Sequence, residues 1–503
     1  MKGRDDLKIA MQYQSEAYCR EAFRQTKLIQ DHAEYIVPDI LEDLGQIVSA
    51  EAQICLKSKE IADHGVEIGA QADVSVLYIT EGRDRVRSMR FSKSIETLIE
   101  CPSLDPASEV QLLLVCQGVQ ARAVNPRKIA VQLALLADLS CWTSDSLEVP
   151  MDLDAEETEG LQLLRRSAES VMTVQLEEKS FVISEQLPLD AQPDPRAIIC
   201  SRAELFYMDC QIIGSKALIK GGAQLRIGYE SEEGPAPYFK EYCIPFSVLI
   251  DMPDENCMIG RILLQPTALY SELSDAINGS RVVELELHAA AQVCIEKTKT
   301  LSYIADAYST KCPLSIEERA VPICGKRERN RLRAETTERI RVENERGLVT
   351  AANADIISFG FRDGKAVLSA SVSLLLLAED GSFSALQRLL SLETDLPEAE
   401  EALLAARIRD LSAERQGEDI LINLICDIDC FLEKNSELRS VFSLDLDAEN
   451  AYDPASVPSV TLAKRNGCEL WEIAKAYRSS AESIGAMSEK HAMPGDLLLI
   501  PRL

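Results

Sequence analysis

The stretch Gln71-Ala-Asp-Val-Ser-Val-Leu-Tyr78 carries a large apolar side chain at every second position from Val74 onward. Such alternation is typical of a β-strand with one buried face. The pattern returns at residues 222–229 and 369–376. A turn signal of acidic residues and glycine follows each copy, at Glu81-Gly82, Glu233-Gly234 and Asp380-Gly381. The chain therefore repeats a strand followed by a hairpin turn.

A second strand pattern keeps the same spacing. Residues 128–135, 280–287 and 419–426 are apolar at alternate positions, and a turn dipeptide precedes each of them. The copies lie about 150 residues apart, which is the mark of an internal repeat. Short strands of period 2 separated by turns favour an all-β sandwich. We therefore predict a mainly β protein with three tandem sandwich-like units.

The composition of the intervening stretches suggests the boundaries. The predicted units cover residues 31–143, 173–310 and 311–446. Residues 144–172 are acidic and poor in aromatic side chains, and we predict a linker there. Residues 305–322 are expected to join the second and third units, and residues 447–458 to form a linker that leads to a terminal module.

Two segments have a helical character. Residues 1–30 place Ala10, Tyr13, Ala17 and Phe23 on one side of an amphipathic helix. They form either a separate helix or the first element of the unit that follows. Residues 398–414 are rich in Glu, Ala, Leu and Arg, which are strong helix formers, and predict a helical insertion in the third unit.

Residues 459–503 predict a small module of strand, helix, helix and strand. Val460 and Leu462 alternate with polar or small neighbours, as in a strand. Leu470, Ile473, Ala474 and Tyr477 follow the spacing of one helix face. Ser479 and Ser480 can cap a second helix. After the turn Pro494-Gly495, residues 497–500 form the closing strand.

This module resembles the LysM family. The residues Gly467-Cys-Glu-Leu-Trp471-Glu-Ile473-Ala474 and Pro494-Gly495-Asp-Leu-Leu-Leu-Ile500-Pro501 are similar to its two motifs. In sugar-binding members the flanking loops hold N-acetylglucosamine chains. The resemblance thus implies a glycan groove at Gly467, Cys468, Glu469, Met493 and Pro494. However, Cys468-Glu469 replaces the family's Asp-Thr, and Ser488 replaces its Asn, which favours a polypeptide as the ligand.

The helices of the module offer a candidate surface for such a partner. Lys475 lies one residue from the buried stripe and should point outward, as should Arg478. Ile484 stands beside the small Gly485, and we expect it to be partly exposed. Trp471 and Leu470 pack at the start of the first helix, where core packing is the simpler interpretation of the indole. One apolar anchor ringed by Lys and Arg suits a protein interface.

The repeated units resemble the SPOCS domain of sporulation coat proteins. The resemblance rests on Pro38-Asp39-Ile-Leu-Glu-Asp43-Leu, on Gln192-Pro193-Asp194, and on Ala305-Asp306-Ala-Tyr308-Ser309 at the domain tail. Tandem SPOCS units with one LysM module resemble the SipL-type class of spore-coat morphogenetic proteins. That implies an adaptor in the mother-cell cytoplasm at the forespore surface. Its LysM module would bind the coat ATPase, stage IV sporulation protein A, and its other units would contact further coat proteins.

Composition limits the other functions. The net charge is −29, from 82 acidic and 53 basic residues, which repels nucleic acid and anionic membranes. No apolar run approaches the roughly 20 residues of a membrane span, and residues 1–8 carry no apolar signal core. The 15 cysteines form no Cys-x-x-Cys pair. We therefore expect a reducing cytosol and mostly buried thiols.

The sequence shows no recognisable catalytic chemistry. None of its four histidines has a cysteine or carboxylate at the spacing of metal ligands. His288, at the end of an apolar strand, is expected to be structural. Nucleophile-elbow and P-loop motifs are missing. The basic run at residues 326–333 is expected to pair with nearby Glu335, Glu338, Glu343 and Glu345. We predict no catalytic residue, metal or cofactor.

Two alternatives to the adaptor remain. The LysM resemblance also permits binding to peptidoglycan of the spore cortex or cell wall. A carboxylate pair hidden within the β units would permit an enzyme, which has no motif in its favour.

Overall fold

The structure is a computed structural model that describes residues 7–501 apart from 103, 155–159, 191–193, 232–233, 277–279, 343–346, 397–400, 454–458, 465–467 and 488–496. Most of the described chain is β-strand, as predicted, and it forms several small sheets. None of the helices in these residues is long and apolar enough to cross a membrane.

After a two-residue strand, β1 (Leu7–Lys8), three successive segments form six strands each. The first unit contains β2 (Met11–Ile36), β3 (Leu44–Ala62), β4 (Gly65–Thr80), β5 (Val86–Glu100), β6 (Glu109–Asn125) and β7 (Lys128–Leu153). The second contains β8 (Leu161–Pro188), β9 (Pro195–Ile213), β10 (Lys216–Ser231), β11 (Tyr238–Asp251), β12 (Met258–Asp275) and β13 (Arg281–Ser309). The third contains β14 (Leu314–Arg341), β15 (Gly347–Arg362), β16 (Lys365–Ala378), β17 (Phe383–Asp395), β18 (Glu401–Gln416) and β19 (Asp419–Leu446).

The strand order is the same in all three units. The second, third and fourth strands form a short antiparallel sheet with the third strand in its centre. The first, sixth and fifth strands form a longer antiparallel sheet around the sixth. The apolar faces of the two sheets share one core per unit. Period-2 alternation produces this core, because successive side chains of a strand point to opposite faces.

The repeated stretch at residues 71–78 lies in the central strand of the short sheet, and its alternation is confirmed. Val74, Val76 and Tyr78 are at most 2% exposed. The corresponding side chains of the other two units are also buried, namely Leu225, Ile227, Tyr229, Val372, Leu374 and Leu376.

The helical alternative for residues 1–30 is wrong for residues 11–30, and residues 1–6 lie outside the described part. β2 pairs with β7 from Met11↔Leu153 to Ile36↔Lys128, so this stretch is the first strand of the first unit. That outcome matches the second of the two alternatives for this segment. The apolar spacing of this stretch is that of a helix, and nothing nearby in the sequence indicates a strand. The strand with which these residues pair lies more than 100 residues further along the chain.

The helical insertion at residues 398–414 is also contradicted. β18 forms an edge strand there and pairs with β19, while residues 398–400 lie outside the described part. Ile408 and Leu411 are half-buried against the core of the third unit. Tertiary packing overrides local helix propensity here. The edge of β19 needs a backbone hydrogen-bonding partner, and the apolar core beside it needs cover.

The predicted linkers are shorter than expected. β7 continues to Leu153 and β8 begins at Leu161, so strands occupy most of residues 144–172. The acidic residues 156–159 lie outside the described part. Likewise β13 ends at Ser309 and β14 begins at Leu314. A strand with one solvated face can carry many acidic side chains, which is why composition alone suggested linkers in these places.

The three units pack around common apolar clusters. Beyond each sandwich, the first and last strands continue as a ribbon, and Val149, Leu301 and Leu438 from the three ribbons are buried together. At the other side, the short sheets meet through side chains that include Ile79, Ile199 and Phe383. Each unit therefore contacts both others, and a single contiguous body results.

Buried glutamines close the junction between the first and second units. The side chain of Gln292 accepts a hydrogen bond from the Leu112 N–H (2.9 Å) and donates one to the Leu112 carbonyl (2.8 Å). Gln265 accepts from the Leu114 N–H at 2.8 Å, and Gln53 accepts from the Ala203 N–H at 2.8 Å. These amides satisfy backbone groups of edge strands that the sheets leave unpaired.

Replacing Gln292 with Met should destabilise the protein by about 2 kcal/mol or more, because a buried N–H and C=O would lose their partners. The measurement is the shift of the urea unfolding midpoint. Gln211→Met serves as the control, since Gln211 lies exposed on β9 and its replacement should cost within about 0.5 kcal/mol. Equal midpoints for the two variants would contradict the role of the amide.

The C-terminal module follows a short 3-10 helix (Ala448–Asn450). It contains β20 (Val460–Lys464), α1 (Leu470–Tyr477), α2 (Ala481–Met487) and β21 (Leu497–Pro501), in the predicted order. β20 and β21 pair antiparallel. Ser480 caps α2, since its hydroxyl accepts a hydrogen bond from the Ser483 N–H at 2.9 Å. The core consists of Ala463, Ile473, Ala474, Ile484, Leu498 and Ile500.

Candidate functional site

The C-terminal module packs against the end of β13 in the second unit. Tyr308, near the end of that strand, is 6% exposed and belongs to the same apolar cluster as the module's own core. Asp306 lies two residues earlier, so both side chains leave the strand on one side. The pairing of β13 with β8 shifts register between Ile304 and Asp306. Such a bulge changes the direction in which the following side chains point.

The Asp306 carboxylate is the polar centre of this contact. The Trp471 indole N–H donates to its Oδ2 at 2.8 Å. The Lys475 ammonium lies 2.7 Å from Oδ1 and 2.8 Å from Oδ2. Trp471 and Lys475 are four residues apart in α1 and therefore face the same way. Two donors, one of them charged, thus hold a single carboxylate in a charge-assisted contact.

Tyr308 supplies the apolar part and a third hydrogen bond. Its ring meets the Trp471 indole edge to face, with centroids 4.8 Å apart and an interplanar angle of 62°. Its hydroxyl donates to the Ser479 carbonyl at 2.6 Å. Burial, together with the negative charge of Asp306, raises the pKa of Tyr308 to about 12. The hydroxyl is therefore protonated, and able to donate, at neutral pH.

Two further contacts lie at the rim. Arg166 of β8 approaches Glu469 at 3.4 Å, and both side chains are more than half exposed. An ion pair of this kind contributes little. The Arg478 guanidinium stacks over the Tyr452 ring at 3.5 Å from its centroid. Arg478 also ends α1 with a positive φ of 54°, a conformation that glycine adopts more easily.

The predicted partner-binding residues differ in exposure and in what they contact. Lys475 points away from the module as expected, but onto Asp306 of the same chain. Trp471 and Leu470 are half-buried, and Arg478 is exposed. The expectation of partial exposure for Ile484 is wrong, because its side chain is 0% exposed. α2 packs on β21, and this packing encloses the side chain although its neighbour Gly485 is small.

The alternative glycan groove is described only in part. Cys468 and Glu469 are exposed just before α1. Gly467, Met493 and Pro494 lie outside the described residues.

The sequence assigns Asp306 and Tyr308 only to the tail of a domain, so sequence reasoning missed them as site residues. The signal available was their spacing of two, which places an acidic and an aromatic side chain on one face of a strand. The contact between Asp306 and Trp471 joins positions 165 residues apart in sequence, and no local pattern shows such a contact.

The basic run at residues 326–333 is paired internally, as predicted, but with carboxylates other than Glu335 and Glu338, while Glu343 and Glu345 lie outside the described residues. Arg327 contacts Glu296 at 2.7 Å and Glu433 at 2.6 Å. Arg329 and Arg331 share Asp429. These carboxylates lie on β13 and β19, which neighbour β14 in space, whereas the predicted glutamates follow in sequence. The ion pairs of Arg327 are therefore largely buried, whereas the side chains of Lys326 and Arg333 are more than half exposed.

Other reactive side chains are in structural settings. His288 lies inside β13 rather than at its end, and its ring contacts Glu286 at 2.5 Å. All cysteines are described, and most are buried. Burial raises the pKa of the Cys141 and Cys426 thiols to about 12, so they are protonated at neutral pH. Among the described residues, no group of three or more His, Cys, Asp or Glu side chains could hold a metal ion.

The Tyr308 contact should depend on pH. Its folded-state pKa of about 12 exceeds the unfolded value of about 10. Its stabilising contribution is therefore complete below about pH 10 and is lost as the pH rises toward about 12. The difference in unfolding free energy between the wild type and Tyr308→Phe should shrink over that interval. Urea unfolding followed by tryptophan fluorescence measures it, and a constant difference would contradict the contact.

Ile484→Arg should unfold the module rather than remove a surface contact. A charge placed in a fully buried site should cost about 3 kcal/mol or more, so amide protons of α2 and β21 should exchange faster. Met487→Arg is the control, because Met487 in the same helix is 53% exposed. Equal exchange rates in the two variants would show that Ile484 is not part of the core.

Comparison with known protein families gives a match within the first unit. Residues 43–124 match the family model described as SipL, SPOCS domain. The matched segment begins just before β3 and ends in β6, within the first unit. This supports a SipL-type family and a sporulation-related protein. No curated protein and no solved structure matches the chain.

Proposed function

We propose that the chain is a non-enzymatic adaptor of spore-coat assembly. In this proposal it works in the mother-cell cytoplasm at the forespore surface, with three SPOCS-type units as its body. The C-terminal module is of LysM type and binds the coat ATPase, stage IV sporulation protein A. The match at residues 43–124 supports the sporulation context.

One observation carries the choice of a protein ligand. The face formed by Trp471 and Lys475 already holds a strand of polypeptide, through an ion pair, an aromatic contact and a hydrogen bond to a carbonyl. A LysM-type fold that binds β13 in this way has the groups needed to bind a strand of another protein. Each unit has a core of buried apolar side chains, which suits a scaffold.

The proposal predicts that Lys475→Glu reduces capture of the ATPase by the full chain at least about tenfold, because a like charge would meet the acidic group of the ligand. Lys464→Glu is the matched control, since Lys464 is an exposed lysine of β20 in the same module. Capture is measured by pulldown with purified proteins, and undiminished capture by Lys475→Glu would refute the proposal.

Sedimentation with purified peptidoglycan tests the other function that the LysM resemblance permits. Binding that saturates with the full chain, and is lost in a chain cut after residue 458, would favour a glycan-binding protein and contradict the adaptor.

A further inference from the structure

The contact between α1 and β13 shows which ligand chemistry this face recognises. We infer that the docking face, defined as Trp471, Lys475 and the Ser479 carbonyl, binds extended segments with the pattern Asp-x-Tyr. In this inference β13 is an internal ligand that the partner displaces. The identity of that partner as the coat ATPase rests on the proposed function, whereas the ligand pattern does not.

The first element of recognition is a carboxylate. The indole N–H and the ammonium converge on the two oxygens of Asp306, all within 2.8 Å. Both groups only donate, so an acceptor that carries negative charge fits best. An amide in the same place would offer one oxygen and would set its NH2 group against the donors.

The second element is a phenol two residues further along. The Tyr308 ring packs on the indole, and its hydroxyl reaches the Ser479 carbonyl, which accepts. A phenylalanine would keep the first of these contacts and lose the second. Because side chains two apart share one face of a strand, both groups reach the docking face only from an extended backbone. These requirements together give the pattern Asp-x-Tyr.

The docked contact is suited to reversal. The module's own core also contains Ala463, Ile473, Ala474, Ile484, Leu498 and Ile500, so these side chains keep their contacts with one another when Tyr308 leaves. The Lys475 side chain is 42% exposed and that of Asp306 is 20% exposed, so water can reach the ion pair. The contacts at the rim are exposed ion-pair and stacking interactions.

A ligand on the same chain also competes strongly. Tethering gives it an effective concentration of about millimolar. The apparent affinity for an outside ligand then falls in proportion to the fraction of molecules whose face is open. Weakening the internal ligand should therefore strengthen binding of an external one, which is the opposite of what loss of a purely structural contact would do.

The test uses the full chain and a labelled peptide with the sequence of residues 303–310, Tyr-Ile-Ala-Asp-Ala-Tyr-Ser-Thr. Fluorescence anisotropy should show at least about tenfold tighter binding to Asp306→Asn than to the wild type, the effect expected for loss of a charged hydrogen bond. Asp254→Asn is the matched control. It removes another aspartate–lysine pair of the second unit, with Lys297 at 2.6 Å, and should bind like the wild type.

Two further measurements make the test specific. A peptide with Asn in place of its Asp should fail to bind Asp306→Asn, and one with Phe in place of its second Tyr should bind more weakly. Tyr308→Phe weakens the internal ligand less, because it keeps the ring and loses only the hydroxyl. It should give an intermediate gain in affinity for the peptide. Equal peptide affinity for the wild type, Asp306→Asn and Tyr308→Phe would overturn the inference, as would equal binding of the Asp and Asn peptides.

Capture of the coat ATPase separates this inference from the proposed function. If both hold, Asp306→Asn should capture more ATPase than the wild type, and the Asp peptide should compete. Peptide binding as expected, with ATPase capture unchanged by Asp306→Asn and Lys475→Glu, would refute the proposed partner and leave the recognition pattern standing. Failure of the peptide to bind the opened chain, with ATPase capture still dependent on Lys475, would refute the recognition pattern alone.

Discussion

The pairing between the first and last strand of each unit is the interaction on which the rest of the structure depends. β2 pairs with β7, β8 with β13, and β14 with β19, each along nearly the whole length of the strands. Each pairing joins segments that enclose an entire unit, so it closes the unit as well as satisfying backbone N–H and C=O groups. Without it the last strand would expose one edge, and the core beneath would lose its cover.

The length of these pairings gives them a second role. The end of each first strand and the start of each last strand cover their own sandwich. The other ends of these two strands continue beyond the sandwich and pack on the other two ribbons. Val149, Leu301 and Leu438 meet there because each lies on a last strand that extends beyond the other strands of its sheet. The same extension of β13 carries Asp306 and Tyr308 to the place where the module docks. Assembly of the units and position of the site thus share one cause.

Polar groups decide how the parts fit together. Between the first two units, buried glutamine amides pair with backbone groups of edge strands. Between body and module, one carboxylate receives two donors from α1. The difference lies in burial. Gln292 is 1% exposed, so breaking its bonds leaves unpaired groups without water, whereas the ion pair of the module is reached by solvent. Breaking the Gln292 bonds is therefore expected to cost more free energy than breaking the solvent-reached ion pair between Lys475 and Asp306.

The sequence by itself determined the repeated strands, because alternation such as that of residues 71–78 is a local property that any sheet must satisfy. It also determined the element order of the module and the charged, outward position of Lys475. Only the tertiary structure decided that residues 11–36 and 401–416 are strands, since their pairing partners are distant and their local propensity points elsewhere. The same holds for the burial of Ile484 under β21 and for the meeting of Asp306 with Trp471. Contacts of that kind depend on how whole elements pack. A local pattern in the sequence does not show which faces of distant elements will be in contact.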